Sequence, residues 1–219
     1  MKKFWESNYV IAFLFLLIIF LRFYNLDADP SFTKRVSDIS DEAAWGLDAR
    51  TLTLFNNWGN SEIHFGLDSA PLYTYLMKLI FENLGISIFT LRLLSAISGS
   101  LTAILLFFFV KKLTSKKQAV LAVAMYGLGN APFIYNRIGH IESTLTLFLF
   151  LMFIFWYLGK NTGPLYFLSG LCYSVAFLIK FTALFFAPAL LGYWLYEYLQ
   201  KQWQWKKFLY FAIGAAIPI

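Results

Sequence analysis

The feature that most constrains this chain is a series of apolar runs, most of them about long enough to cross a lipid bilayer. A spanning helix needs about 20 mostly apolar residues, because the hydrocarbon core is about 30 Å thick. Short polar breaks separate the runs, which cover residues 8–24, 88–110, 118–135, 141–158, 164–180, 182–199 and 208–219. With 59% hydrophobic and 14% charged residues, the composition excludes an ordinary soluble domain. The sequence therefore predicts an all-α, polytopic membrane helix bundle of about seven spans, forming one module over residues 1–219.

The distribution of charge orients this bundle in the membrane. A net charge of +6 is compatible with binding to nucleic acid or to an anionic membrane surface. The basic residues lie in the breaks between apolar runs, which favours membrane lipids as the partner and not nucleic acid. Four lysines fall within residues 111–117, whereas nine of the twelve acidic residues fall within 25–87. We therefore expect a multi-pass protein of the cell membrane with a cytoplasmic N-terminus, an uncleaved anchor helix and an extracytoplasmic loop over 25–87.

The extracytoplasmic loop should contain helices of its own, because 63 residues without secondary structure would be unusual. Apolar residues at helical spacing predict one helix over 41–58 and a second over 71–84, both lying along the membrane surface. The last apolar run, 208–219, is too short to span. We expect the protein to continue beyond it, so that this chain is truncated at its C-terminus.

Two adjacent carboxylates, Asp41 and Glu42, open the first helix of the loop. Helix capping is the ordinary interpretation of such a pair. A carboxylate held just outside the membrane can also take a proton from a hydroxyl group, which typically accelerates a reaction about a hundredfold to ten-thousandfold. The pair is therefore a candidate for catalysis.

Other ionisable residues accompany this pair on the predicted outer side: Asp68, Arg137, Glu142 and Lys180. Charged groups at membrane depth are expensive and usually face a cavity or a partner. The alternatives are an interfacial cap for Glu142, snorkelling of Lys180 to the headgroups and an anchor to lipid phosphate for Arg137.

Two histidines, His64 and His140, also fall on the outer side near carboxylates. Together with Asp41, Asp68 or Glu142 they could hold a divalent metal ion, although their spacing matches no known metal motif. Surface histidines are the alternative interpretation.

The order of these features resembles the N-terminal module of the GT-C integral-membrane glycosyltransferases, in particular the protein O-mannosyltransferases and the aminoarabinose transferases of lipid A. The resemblance covers nearly the whole chain. It rests on five short segments in order: Ser40-Asp41-Glu42-Ala43-Ala44-Trp45, Asp68-Ser69-Ala70-Pro71-Leu72-Tyr73, Leu91-Arg92-Leu93-Leu94-Ser95-Ala96, Arg137-Ile138-Gly139-His140-Ile141-Glu142, and Gly170 to Lys180. The chain departs from its relatives at two places. Where it has Ser69-Ala70, they often carry Lys or His followed by a proline, and where it has Phe181, they often carry a glycine.

The resemblance implies transfer of a sugar from a polyprenyl-phosphate donor to a lipid, glycan or protein acceptor on the outer membrane face, with inversion at the anomeric carbon. It implies that Asp41 is the catalytic carboxylate, with Glu42 beside it. Arg137 and Lys180 would bind the donor phosphate. The acidic residues Asp68 and Glu142, with His64 and His140 near them, would stand close to the acceptor or to a metal ion.

Two other functions remain open at this point. A transporter or lipid flippase would place charged groups near the middle of the bilayer, whereas here the charges gather in one loop and at the outer ends of the predicted helices. A structural subunit that binds a catalytic partner is the third interpretation.

Overall fold

The computed structural model describes residues 7–28, 40–57, 70–159, 163–202 and 204–217. These residues form ten α-helices and one 3-10 helix, and none of them lies in a strand. The helices are α1 (Asn8–Phe23), α2 (Ser40–Phe55), α3 (Pro71–Leu84), α4 (Ile88–Leu113), α5 (Lys116–Leu128), α6 (Asn130–Arg137), α7 (Ile141–Leu158), α8 (Gly163–Ile179), the 3-10 helix (Phe181–Phe186), α9 (Ala187–Leu199) and α10 (Trp205–Ala216). The all-helical prediction is confirmed for this part of the chain.

The number of spans is less clear than the helical content. Within the described ranges, α4 and α7 are the two helices both long and apolar enough to cross a membrane unaided, and α1 and α8 are shorter apolar helices. The other predicted spans do not meet this length. The count of seven spans is therefore not confirmed and stays a prediction.

Two predicted spans are each divided in the structure, and a proline explains both divisions. The run 118–135 is split at Gly129 into α5 and α6. Pro132 has no N–H to donate, and its ring would clash with the carbonyl of Leu128 four residues earlier if the helix continued. In the run 182–199, Pro188 lies in the first turn of α9, which follows the 3-10 helix.

The long helix α4 has a well-defined start and end. The Ser87 hydroxyl accepts a hydrogen bond from the Thr90 N–H (3.1 Å), and the Thr90 hydroxyl accepts one from the Ser87 N–H (2.9 Å). This reciprocal capping satisfies backbone donors that a helix leaves open at its N-terminus. Lys111 and Lys112 lie in the last turn, where cations interact favourably with the helix dipole.

The chain divides into two compact units, Met1–Leu67 with Thr74–Leu147 and Asp68–Tyr73 with Phe148–Ile219. In the first, α1, α4 and α5 pack together through buried apolar side chains such as Ile18, Phe107 and Val123. This packing of α1 on α4 and α5 positions the ends of these helices and the charged residues at those ends. The interpretation of 1–219 as a single module stays a prediction.

The second unit is centred on aromatic residues and on a close helix crossing. The Trp156 ring packs against four other rings, those of Tyr166, Tyr193, Trp194 and Phe211, with centroids 5.2 to 5.5 Å away. Gly170 of α8 lies against the backbone of α10, and Gly214 of α10 lies against the backbone of α8. Glycines permit such close approach because they carry no Cβ.

Candidate active site

A buried ion pair between Glu42 and Arg92 forms the centre of the candidate site. The Arg92 Nε donates to Glu42 Oε1 at 2.6 Å, and Arg92 Nη2 donates to Oε2 at 3.0 Å. The Arg92 side chain is 1% exposed and that of Glu42 is 9% exposed. This two-pronged geometry is the strongest arrangement between arginine and a carboxylate, and it fixes orientation as well as distance.

Backbone groups complete the bonding of this pair. Arg92 Nη1 donates to the carbonyl oxygen of Leu26 at 2.9 Å, and the Gly139 N–H donates to Glu42 Oε1 at 2.9 Å. A Cβ on Gly139 would lie 3.0 Å from the Leu91 carbonyl oxygen and 3.1 Å from Glu42 Cγ. The absence of a side chain at Gly139 therefore allows the loop between α6 and α7 to approach the ion pair.

These contacts join four segments that are far apart in sequence: the turn after α1, the start of α2, helix α4 and the loop between α6 and α7. Trp45, Ala49 and Leu52 lie at helical spacing on α2 and are all buried, so this face of α2 packs against other parts of the protein. The ion pair then sets the position of the first turn of α2.

Asp41 belongs to that first turn, directly before Glu42. Its side chain lies outside the described residues, as do His64 and Asp68. The structure does describe the adjacent residue, Glu42, whose contacts hold the backbone at Asp41.

The side chain of Arg137 binds the end of α1. Its guanidinium donates to the carbonyl oxygens of Leu21, Tyr24 (3.0 Å) and Asn25 (3.3 Å). The last carbonyls of a helix have no partner within the helix, so Arg137 acts there as a C-terminal cap. A pocket of about 320 Å³ adjoins these groups and is lined by Arg137, Phe133 and the residues at the end of α1.

His140 and Glu142 contact each other through the imidazole Nδ1 and a carboxylate oxygen. The His140 ring also packs edge-on against Tyr135, with centroids 5.1 Å apart, and its carbonyl oxygen accepts a hydrogen bond from the Ser95 hydroxyl at 2.8 Å. The residue directly before α7, which follows Gly139 in sequence, is thus tied to α4.

Lys180 lies in the second unit, between α8 and the 3-10 helix. Its N–H donates to the Ala176 carbonyl oxygen, and its carbonyl oxygen accepts from the Ala183 N–H, both at 3.0 Å. The side chain is half-buried. Its proposed role toward the donor phosphate stays a prediction.

Among the described residues, no three His, Cys, Asp or Glu side chains come together as a group that could hold a metal ion. His140 and Glu142 supply two of the predicted ligands. The metal hypothesis thus depends on residues outside the described ranges and stays a prediction.

Two buried arginines were given no role by sequence reasoning. Arg92 appeared only as part of a motif, and Arg22 of α1 is fully buried with its guanidinium 5.6 Å from the centroid of the Tyr126 ring. The signal that marks both is an arginine within an apolar run, since a charge at that depth needs a partner. Asp48 on α2, 2% exposed, is a further buried charged residue to which the sequence assigned no role.

A comparison with known families decides what kind of chain this geometry belongs to. The model of the dolichyl-phosphate-mannose-protein mannosyltransferase family matches residues 68–219. The chain belongs to this family. It is a GT-C glycosyltransferase module of an integral membrane protein, and the family uses polyprenyl-phosphate sugars as donors.

The match to the mannosyltransferase family includes Arg92, Arg137, Glu142 and Lys180, and it begins after α2, which carries Asp41 and Glu42. No curated protein and no solved structure matches the chain significantly. The resemblance inferred from short motifs is thereby confirmed at the level of the family.

Proposed function

We propose that this transferase moves a sugar from a polyprenyl-phosphate donor to a hydroxyl group of a lipid, glycan or protein acceptor on the extracytoplasmic face, with Asp41 as the general base. The observation that carries this proposal is the anchoring of Glu42 by Arg92 and Gly139. It holds the residue next to Asp41, and precise placement is what a general base requires.

In the proposed reaction the acceptor oxygen attacks the anomeric carbon while Asp41 takes the hydroxyl proton. The bond between that carbon and the phosphate oxygen breaks, and the electron pair leaves with the polyprenyl phosphate. One direct displacement of this kind inverts the anomeric configuration. The departing phosphate gains negative charge, which cationic side chains stabilise.

Arg137 and Lys180 are the side chains that we propose for this stabilisation. Arg137 supports the role in one respect, since a pocket of about 320 Å³ adjoins its side chain. Three backbone carbonyls already orient its guanidinium, so a phosphate in this pocket would meet a preorganised cation. Glu42 lies beside the proposed base in sequence. Through its ion pair with Arg92 it also has a proposed role in positioning that base.

We expect Asp41→Asn to reduce sugar transfer by the full-length protein by at least about a hundredfold, because the amide cannot accept the proton. The measurement is transfer of a labelled sugar from a polyprenyl-phosphate donor in proteoliposomes. Binding of the donor should persist, since the substitution leaves the phosphate ligands unchanged.

The matched control is Asp27→Asn, which makes the same chemical change at an exposed turn residue and should leave transfer near the level of the unmodified protein. Normal turnover by Asp41→Asn would exclude Asp41 as the base.

A further inference from the structure

We propose that a second pocket in the first unit, between α5, α6 and the start of α7, binds a single sugar ring. This proposal rests on the proposed function for the source of that ring, which is the donor or a glycan acceptor. The pocket has a volume of about 250 Å³. One water molecule needs about 10–15 Å³ on the same measure, so the pocket has room for a ligand the size of one monosaccharide ring.

The walls of the pocket are mostly apolar and aromatic. Tyr126, Tyr135 and Pro132 line it. The Tyr126 ring is backed by the fully buried guanidinium of Arg22, 5.6 Å from the ring centroid, and the Tyr135 ring by His140. Binding sites for small molecules combine such preformed apolar walls with a few placed polar groups, and the C–H faces of a sugar ring match aromatic walls.

The polar groups of the pocket are fixed in advance by hydrogen bonds among themselves. Asn136 is 2% exposed. Its Nδ2 donates to the Tyr126 hydroxyl oxygen at 3.4 Å, and its Oδ1 lies 2.9 Å from the Ser143 hydroxyl. Because the Tyr126 oxygen is the acceptor in the first bond, its own hydrogen can be donated to a ligand.

A glycine on the neighbouring helix α4 makes room for this arrangement. A Cβ on Gly99 would overlap the carboxamide of Asn136, so any other residue would displace the amide. Gly99 therefore preserves the position of Asn136 in the pocket wall.

The charge of the lining selects the class of ligand. Among the described residues that line this pocket none is Lys or Arg, and Glu142 contributes a carboxylate. A phosphate group would be repelled there, in contrast to the pocket beside Arg137. A neutral ring with several hydroxyls can instead donate to Glu142 and accept from Tyr126.

The pocket is also linked to the proposed base by a short stretch of backbone and one hydrogen bond. Glu142 follows Gly139 by three residues, so their Cα atoms are at most about 11 Å apart. The Gly139 N–H in turn lies 2.9 Å from the carboxylate of Glu42, the residue next to Asp41. Glu142 and the first turn of α2 are therefore joined by three residues of backbone and one hydrogen bond.

The test uses the full-length protein in lipid nanodiscs and a set of methyl glycosides of hexoses and pentoses, with binding measured by saturation-transfer NMR. At least one glycoside should bind, and Tyr126→Phe and Thr146→Val should each weaken that binding about three- to tenfold, because each removes one hydroxyl from the lining. Tyr9→Phe, the same change as Tyr126→Phe at a residue 88% exposed, is the control and should not alter it.

Both pocket variants are close in shape to the original residues, and their thermal unfolding should match that of Tyr9→Phe. The proposal is overturned if no glycoside binds, or if both pocket variants bind as tightly as the control. Methyl phosphate serves as the charged probe, and binding of methyl phosphate in this pocket would equally overturn it.

Kinetics identify the source of the ring. If the donor supplies it, Tyr126→Phe raises the KM for the donor, and if a glycan acceptor supplies it, the KM for that acceptor rises. Transfer with unchanged KM values and unchanged glycoside binding would reject the sugar pocket and keep the proposed function. Glycoside binding that Tyr126→Phe weakens, in a protein that transfers no sugar, would reject the proposed function and keep the pocket.

Discussion

Arg92 lies near the start of the predominantly apolar helix α4, and its contribution depends on one residue 50 positions away. Burying either charge of such a pair is costly unless the other charge and additional hydrogen bonds accompany it. Here Glu42, Leu26 and Gly139 meet that requirement together. The ion pair of Arg92 with Glu42 therefore holds the first turn of α2 against α4.

We expect Glu42→Gln to destabilise the protein, because it leaves the Arg92 cation buried without its counter-charge. Removing one partner of a buried pair costs about 3–5 kcal/mol. Unfolding of the full-length protein by SDS, followed by tryptophan fluorescence, measures the change, and sugar transfer should fall with it.

The control for this substitution is Glu82→Gln on α3, whose carboxylate is 40% exposed and pairs with Lys78 at 2.7 Å. Exposed pairs contribute less than about 1 kcal/mol. Equal stability of the two variants would show that the pair of Glu42 and Arg92 does not hold α2 in place.

Sequence reasoning predicted Asp41, Glu42, Arg137 and Glu142 as site residues, and it missed the partners that several of them have in the structure. Glu42 binds a residue in α4, and Arg137 binds carbonyls at the end of α1. Spacing along one helix indicates which residues share a face. It carries no information about which distant helix lies opposite, so these pairs could not be predicted.

At the scale of helices, prediction from the sequence was more successful, because hydropathy and helical period are local properties. The helices α4, α7 and α8 begin within one residue of the predicted runs. The divisions at Gly129 and before α9 were missed because hydropathy ignores the lost hydrogen bond and the steric clash that Pro132 and Pro188 introduce.

Close packing of α8 and α10 gives a prediction at the same scale. In Gly170→Ala the new Cβ would overlap the Phe211 carbonyl oxygen and lie 2.8 Å from the Ala215 nitrogen. These are backbone atoms that cannot turn aside, so the two helices must separate. We expect a loss of stability of about 1–3 kcal/mol, measured by SDS-induced unfolding.

Gly192→Ala is the matched control within α9. A Cβ there meets nothing within 4 Å, and alanine is favoured over glycine in a helix interior by about 1 kcal/mol. This variant should be as stable as the original protein or slightly more so. A stabilising effect of Gly170→Ala would contradict the close crossing of α8 and α10.

At the scale of the whole molecule, family membership establishes an integral membrane protein, and the distribution of charge predicts the sidedness of its segments. Lysines at 111, 112, 116 and 117 favour the cytoplasm for the turn between α4 and α5, and the acid-rich residues 25–87 favour the opposite face. The proposed reaction requires the second assignment.

Cysteine labelling tests this orientation, and Cys172, the one natural cysteine within residues 1–219, gives little background because it is buried. On intact cells a membrane-impermeant maleimide should label Asn83→Cys, at an exposed position near the end of α3. It should label Lys112→Cys only after the membrane is permeabilised. The reverse pattern would place the proposed active site in the cytoplasm.

The cap that Arg137 provides for α1 has a consequence for biosynthesis. The arginine is 113 residues beyond Tyr24, and ribosomes add about 5–20 residues per second. For about 6 to 23 seconds after Tyr24 is made, the final carbonyls of the anchor helix must therefore use water or lipid headgroups as partners. The emergence of α6 then replaces those temporary partners, so the first helix of the nascent protein reaches its final state only after five later helices of the described part, α2 to α6, have been translated.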